Sequence, residues 1–238
     1  MIGDVDNGGN IGSHGSELVP VYYPMMVNIC GKRCVVIGGG KVAERKISGL
    51  FTAQAEVIVI SPIVTKQIAE WAEIGKLQLR LRSYEAEDVR GAFLVIAATN
   101  SEKVNAQINE DIHNSERGLG QGLSLFNRVD LPEYGDFIVP AMFRRGRLVV
   151  AVSTSGANPG VAQAICSRLE ADIGEEYEIL LDFYAEFRLL VRQLVDDPER
   201  RRIIQREVLK LDMIEWIRTG QFERLSKEIL VKLMEENV

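Results

Sequence analysis

Gly38, Gly40 and Ala43 stand at the spacing Gly-x-Gly-x-x-Ala, behind the apolar run Val35-Val36-Ile37 and ahead of the helix-favouring Glu44-Arg45-Lys46. A turn of this kind can hold phosphate. Gly38 permits the tight turn, Gly40 leaves room for a pyrophosphate against the backbone, and Ala43 lets the helix lie close to the strand. The helix start offers unpaired N–H groups and a partial positive charge to the anion. Gly-rich turns also close ordinary strand–helix junctions, so context decides. Here a second run, Gln54 to Pro62, reads as the next strand of a βαβ unit. It ends in Ser61-Pro62, where an Asp or Glu for the ribose hydroxyls is common. The spacing therefore predicts a dinucleotide's pyrophosphate site and leaves NAD against NADP open.

Other chemistry-bearing residues are few. Asp130 follows Asn127-Arg128-Val129 at the end of an apolar run and should lie at the same sheet edge as Gly38 and Thr99. An Asp before Leu131-Pro132 can cap a turn, or can serve as a base. Ala97-Ala98-Thr99-Asn100 closes another buried run, where small residues allow either close helix packing or a ligand at the carboxyl edge. His14 lies in a Gly/Ser/Asn-rich tail and His113 near the end of a polar helix, so no histidine base is evident. Cys30, Cys34 and Cys166 have no metal spacing and read as thiols that pack as small hydrophobes.

The elements that must position these residues follow from the pattern. Residues 1–19 are Gly, Asn, Ser and Asp-rich and are expected to be disordered. A helix over Val64–Ile74 ends at Gly75. Leu77–Arg82 alternates strictly, predicting a strand with one solvated face. Ser101 resembles the N-cap of a helix from Glu102 to about His113. After a Gly-rich loop, Arg117–Gly122, the run Leu123–Asn127 completes about five strands with interleaved helices. Two further strands, Phe137–Phe143 and Leu148–Ser153, surround a basic turn, and Pro159 suits the first turn of the next helix. The rest is helical: Glu175–Leu194 with one apolar face, a break at Pro198, then Ile203–Trp216 and Phe222–Met234.

Composition bounds the reading. The 238 residues carry a formal net charge of -6, with 46% hydrophobic and 26% charged residues. This is an ordinary globular balance, large enough for one domain or two. The acidic sign argues against nucleic-acid binding. No run has the length of a membrane span and no signal sequence opens the chain, so the cytoplasm is expected.

Taken together, Val35-Val36-Ile37-Gly38-Gly39-Gly40-Lys41-Val42-Ala43-Glu44-Arg45-Lys46, Ala97-Ala98-Thr99-Asn100, Asn127-Arg128-Val129-Asp130 and Phe137-Ile138-Val139-Pro140-Ala141 closely resemble the N-terminal region of siroheme synthases. Val149–Pro159 extends the likeness, which covers about residues 21–175. That family contains precorrin-2 dehydrogenases, some of which also insert ferrous iron into sirohydrochlorin. The resemblance implies an α/β fold in three ordered parts. They are a Rossmann-type parallel sheet domain over 20–132, a small α+β dimerisation module over 133–173 and a helical C-terminal domain over 174–238. It implies NAD-dependent oxidation of precorrin-2 to sirohydrochlorin by a homodimer, with ferrous or cobalt ion as a further substrate.

The family's Asn-x-x-Asp motif places its catalytic candidate at Asp130, as proton acceptor while hydride leaves for the nicotinamide. The implied cofactor contacts are Gly38, Gly39, Gly40, Lys41, Val42, Ser61, Pro62, Ala98, Thr99 and Asn100. Because the substrate carries eight carboxylates, Asn127, Arg128 and Arg144 are expected to meet it, since guanidinium groups pair bidentately with carboxylates. Arg145 and Arg147 share the basic turn, and Arg145 is expected to stay solvated. Thr154 stands where some relatives have the second Ser of Val-Ser-Ser-Gly and is a further substrate candidate. The methyltransferase part of some relatives has no counterpart before Val238, so precorrin-2 should come from elsewhere. The rival class is a non-catalytic NAD(H)-binding redox sensor. A different NAD(P)-linked oxidoreductase finds no Tyr-x-x-x-Lys pair to support it.

Overall fold

The computed structural model describes residues 21–119 and 124–235; the expected tail at 1–19 and the heart of the Gly-rich loop lie outside them. The chain divides into two compact units at Ile138–Val139.

The first unit is a five-stranded sheet. Its elements are β1 (Arg33–Ile37), α1 (Lys41–Thr52), β2 (Glu56–Ile60), α2 (Lys66–Glu73), β3 (Gln78–Arg80), β4 (Leu94–Ala97), α3 (Glu102–Leu119) and β5 (Leu125–Arg128). The order is β3-β2-β1-β4-β5, and every pairing is parallel. Alternation along β1 feeds two cores. Cys34 and Val36 join Ala43, Ile47 and Leu50 of α1 on one face. Val35 and Ile37 join Val95, Ile108, Ile112 and Phe126 on the other. The chain reverses its direction of travel between β1 and β4, which creates a topological switch point and a crevice outside their carboxyl ends.

Several expectations need correcting. The crossover from β3 to β4 carries a 3-10 turn, Ala86–Val89, in place of a helix. The strand expected over Leu77–Arg82 keeps only Gln78–Arg80, and its alternation fails at the end: Leu81 is exposed, while Arg80 and Arg82 turn toward a buried aspartate, Asp88. Helix α3 runs on to Leu119, so the loop expected from Arg117 starts inside a helix.

In the second unit, β6 (Ala141–Arg145) and β7 (Leu148–Val152) form an antiparallel hairpin, with α4 (Pro159–Asp172) after it. Asn158 caps α4 by accepting from the Val161 N–H at 3.1 Å, with Pro159 in the first turn. Four helices follow: α5 (Glu176–Leu194), α6 (Pro198–Leu209), α7 (Met213–Arg218) and α8 (Phe222–Glu235). They close around Phe183, Phe187, Val191, Val208 and Met213. Pro198 opens α6 where a break alone was expected, because Asp197 accepts from the N–H groups of Glu199 and Arg200. The expected helix Ile203–Trp216 is split, because Asp212 starts α7 by capping Glu215 at 3.2 Å. Among the described residues no helix is long and apolar enough to cross a membrane.

Candidate active site at the sheet edge

The three glycines after β1 have three different environments. Gly38 adopts φ 121°, and a Cβ there would collide with the carbonyl group of Ala98 at the end of β4. A Cβ on Gly39 would strike the Ile63 carbonyl and the Val64 side chain. A Cβ on Gly40 would meet nothing within 4 Å. Gly38 and Gly39 therefore close the scaffold, with Gly38 N–H donating to Ile60 O at 2.9 Å and Gly39 O accepting from Thr65 N–H at 2.9 Å. Gly40 alone faces open space. It is the N-cap of α1 and supplies no side-chain cap, so the helix start is left open toward that space. Ala43 is fully buried, as close packing of α1 on the sheet requires. An uncapped helix start beside a glycine with free space fits a dinucleotide pyrophosphate.

The neighbouring candidates line the same edge. The Lys41 ammonium is 3.1 Å from Glu44, which keeps the first turn of α1 from being net negative. Val42 stays partly exposed. Ser61 is buried and donates its hydroxyl to Ile63 O at 2.7 Å, with Pro62 exposed after it. Ser61 therefore shapes the turn and carries no charge toward a ribose. Ala98 N–H donates to Ile37 O at 2.8 Å, binding the end of β4 to the end of β1. Thr99 turns its hydroxyl inward to Asn105 Oδ1 at 2.7 Å, and Asn100 is exposed beyond it.

Asp130 lies two residues past β5, its side chain 32% exposed. Arg128 Nε and Nη2 donate to its two carboxylate oxygens, each at 3.1 Å. Arg128 itself is almost wholly buried and its guanidinium lies 5.4 Å from the Tyr134 ring centroid. Asn105, 1% exposed on α3, gives its amide N–H to Thr99 O at 3.2 Å and lowers the proton affinity of Asp130 nearby. Burial raises the proton affinity of Asp130, but the hydrogen bonds from Arg128, helped by the nearby Asn105 amide, outweigh it and hold the carboxyl below its ordinary range. The result is a partly exposed carboxylate, ionised at neutral pH and fixed in direction.

The remaining candidates fall elsewhere. Asn127 is buried and its amide donates to Phe137 O at 2.8 Å. Beside it, Asp136 accepts from the Phe126 N–H at 2.8 Å, so this pair ties the 135–137 segment to β5. Arg128, expected to meet a substrate carboxylate, instead engages one within the chain. In the second unit, Arg144 is exposed on β6. Arg145, expected to stay solvated, is only partly exposed and reaches Glu170 at 3.3 Å, and Arg147 reaches Asp182 at 2.9 Å. The Thr154 hydroxyl donates to Asn158 O at 3.0 Å and supports the start of α4.

Sequence reasoning passed over Asn105 and Asp88. The signal for Asn105 was its register: Asn105, Ile108 and Ile112 share the buried stripe of α3, and a buried amide must find partners. Asp88 gives no comparable pattern, because its partners, Arg80 and Arg82, sit on a different element.

Comparisons with known proteins agree with this geometry. A family model described as NAD(P)-binding matches residues 25–141. The siroheme synthase of Nitrosococcus oceani is 38% identical over 202 residues, 85% of this chain and 42% of that protein. The siroheme synthase of Methylococcus capsulatus is 34% identical over 209 residues, 88% of this chain and 43% of that protein. The chain thus spans less than half the length of these relatives. The precorrin-2 dehydrogenase of Priestia megaterium is 30% identical over 187 residues, 79% of this chain and 89% of that protein. Among solved structures, SirC, a precorrin-2 dehydrogenase, superposes with a TM-score of 0.72 at 28% identity, covering 90% of this chain and all of that one.

Proposed function

The chain belongs to the precorrin-2 dehydrogenase family, and on that premise we propose that it oxidises precorrin-2 to sirohydrochlorin with NAD, with Asp130 as proton acceptor. One observation carries the catalytic assignment: a fixed, ionised and partly exposed carboxylate stands at the carboxyl edge of the sheet that bears the open glycine turn. NAD, when bound, supplies the hydride acceptor. Gly40 and the open start of α1 would hold its pyrophosphate, with Ser61 and Pro62 at the ribose and the Ala98–Asn100 backbone beside the nicotinamide end. The reaction removes two electrons and one proton from the macrocycle as hydride, and a second proton to a base. Asp130 is ionised for that second role, and its low proton affinity lets it pass the proton on to water.

Two further parts belong to the reading. The hairpin and α4 leave Met142, Val161 and Ile165 between 42% and 47% exposed. A two-stranded sheet is marginal alone, which supports a homodimer joined through this module; a solution mass of one chain would remove it. The same carboxylate can receive pyrrole protons if ferrous or cobalt ion is a second substrate. The setting we propose is the cytoplasm, whose reducing conditions suit the free thiols of Cys34 and Cys166.

The test is anaerobic mixing of the protein with precorrin-2 and NAD, following NADH and sirohydrochlorin absorbance, with Asp130→Asn in parallel. We expect turnover in the wild type and a loss of roughly 100-fold or more in the variant. Equal turnover in both removes Asp130 from the mechanism, and NAD binding without wild-type turnover removes the dehydrogenase. Adding ferrous or cobaltous ion to the product then reads the insertion step.

A further inference from the structure

Arg128 commits two donors of its fork to one carboxylate. A base that takes a proton in a reaction could stand free at a sheet edge, where solvent would keep it ionised and mobile. Here the carboxylate is gripped across both oxygens by a guanidinium whose side chain is 6% exposed. The guanidinium is in turn pinned by its own surroundings. It lies over the Tyr134 ring, 5.4 Å from its centroid, and the Glu102 charge on α3 adds to the attraction. Two parallel N–H···O contacts fix both the direction of a carboxylate and its charge. They leave each oxygen a second lone pair, and the one-third of the side chain still exposed is where that capacity can be used.

We propose that Arg128 is a positioning residue for the dehydrogenation: it holds Asp130 in one rotamer and in its ionised form, and thereby sets the acid limb of the reaction. Asn105, held to Thr99 at the end of β4, lowers the proton affinity of the same carboxylate in the same direction. The proposal rests on Asp130 being the proton acceptor. It assigns Arg128 inward, to the base, and leaves recognition of the substrate's carboxylates to other cations. Charge and direction are separable. A neutral residue at 128 removes both, whereas lysine keeps a positive charge and loses the planar fork.

The groups facing Asp130 are Arg128 from β5, Asn105 from α3 and, through Arg128, Glu102 and Tyr134. Only Arg128 carries positive charge among them. Removing it leaves burial to raise the proton affinity of Asp130, so the variant's base protonates at higher pH. The experiment measures kcat/KM for precorrin-2 against pH in wild type, Arg128→Gln and Arg128→Lys, with thermal unfolding of each as a check on folding. In parallel, NMR follows the Asp130 carboxyl titration.

The expected result is an acid limb about one pH unit or more higher in Arg128→Gln, matched by the Asp130 titration. Arg128→Lys should keep the limb near the wild-type position with a lower plateau kcat, because it retains charge without orientation. A limb that stays put in both variants while the wild type turns over overturns the proposal and spares the function. A limb that moves while the Asp130 titration does not overturns it too. Absence of wild-type turnover is the separate failure of the dehydrogenase reading, and the proposal falls with it.

Discussion

Asp88 and Asp130 are both held by arginine in the same α/β unit, and they differ in what the grip leaves open. Asp88 is fully buried. Arg80 reaches one of its oxygens at 2.7 Å, Arg82 grips both at 2.7 and 2.8 Å, and the Glu85 N–H adds a bond at 3.0 Å. The Asp88 carbonyl also accepts from Arg33 at 3.0 Å. This group fastens the 3-10 turn to the end of β3 and has no face left for a reactant. Asp130 has one arginine, and a third of its side chain remains open. The same residue pair thus makes a rivet when every lone pair is used and a candidate base when some are left.

Exchanging each carboxylate for an amide gives the sharpest contrast. Asp130→Asn should lower turnover by roughly 100-fold or more, with unfolding free energy lowered by about 1–2 kcal/mol, since the carboxylate is one-third exposed and the amide oxygen still accepts from the buried Arg128. Asp88→Asn should do the reverse. Breaking a buried pair costs about 3 kcal/mol, read as a lower urea midpoint, while the folded fraction keeps its specific activity. A large stability loss in Asp130→Asn, or an inert but stable Asp88→Asn, would erase the distinction.

The glycine turn allows a second contrast of scaffold against site. At Gly38, alanine meets both a left-handed backbone and the Ala98 carbonyl, so Gly38→Ala should destabilise the unit by about 1–3 kcal/mol. Gly40 has an ordinary φ of -83° and open space. Gly40→Ala should leave the melting temperature close to wild type yet weaken NAD binding by about tenfold or more, because the methyl fills the room meant for phosphate. Calorimetric titration with NAD beside a thermal melt separates the two.

These contrasts also show what the sequence could and could not tell. The sheet was legible because parallel strands buried on both faces appear as unbroken apolar runs, as at Val35–Ile37 and Leu94–Ala97. The glycine spacing located the open turn for a similar reason: a local steric need leaves a local mark. Asp130 was legible in place, since it follows the last strand of the sheet, but its grip by Arg128 was not. An arginine two residues from an aspartate reads equally as a solvated pair or a substrate clamp until its burial is known. Asp88 lay deeper still, because nothing in Glu85–Val89 announces that Arg80 and Arg82 will fold over it and end the alternation of β3. Helix starts failed where a side chain outweighed periodicity: Asp212 cut a helix that the apolar spacing carried straight through.

Acid titration offers the finest test of the two aspartates. At Asp88 burial raises the proton affinity, and the bonds from Arg82, the Glu85 N–H and Arg80 more than reverse it, so its folded pKa lies below the ordinary value. Asp130 is depressed in the same direction. A carboxyl whose folded pKa lies below its unfolded value, about 3.9 for Asp, stabilises the fold fully above that value. The contribution is lost as pH falls through the unfolded and then the folded pKa. The wild-type melting temperature should therefore hold from neutrality to about pH 5 and then fall. Asp88→Asn should start lower and fall less steeply, having no such proton to take up. Asp130→Asn should flatten the acid fall in the same direction but less than Asp88→Asn, because one third of the Asp130 side chain is open to solvent. If Asp130→Asn flattened the acid fall as much as Asp88→Asn, the open carboxylate would be as much a structural fastening as the buried one.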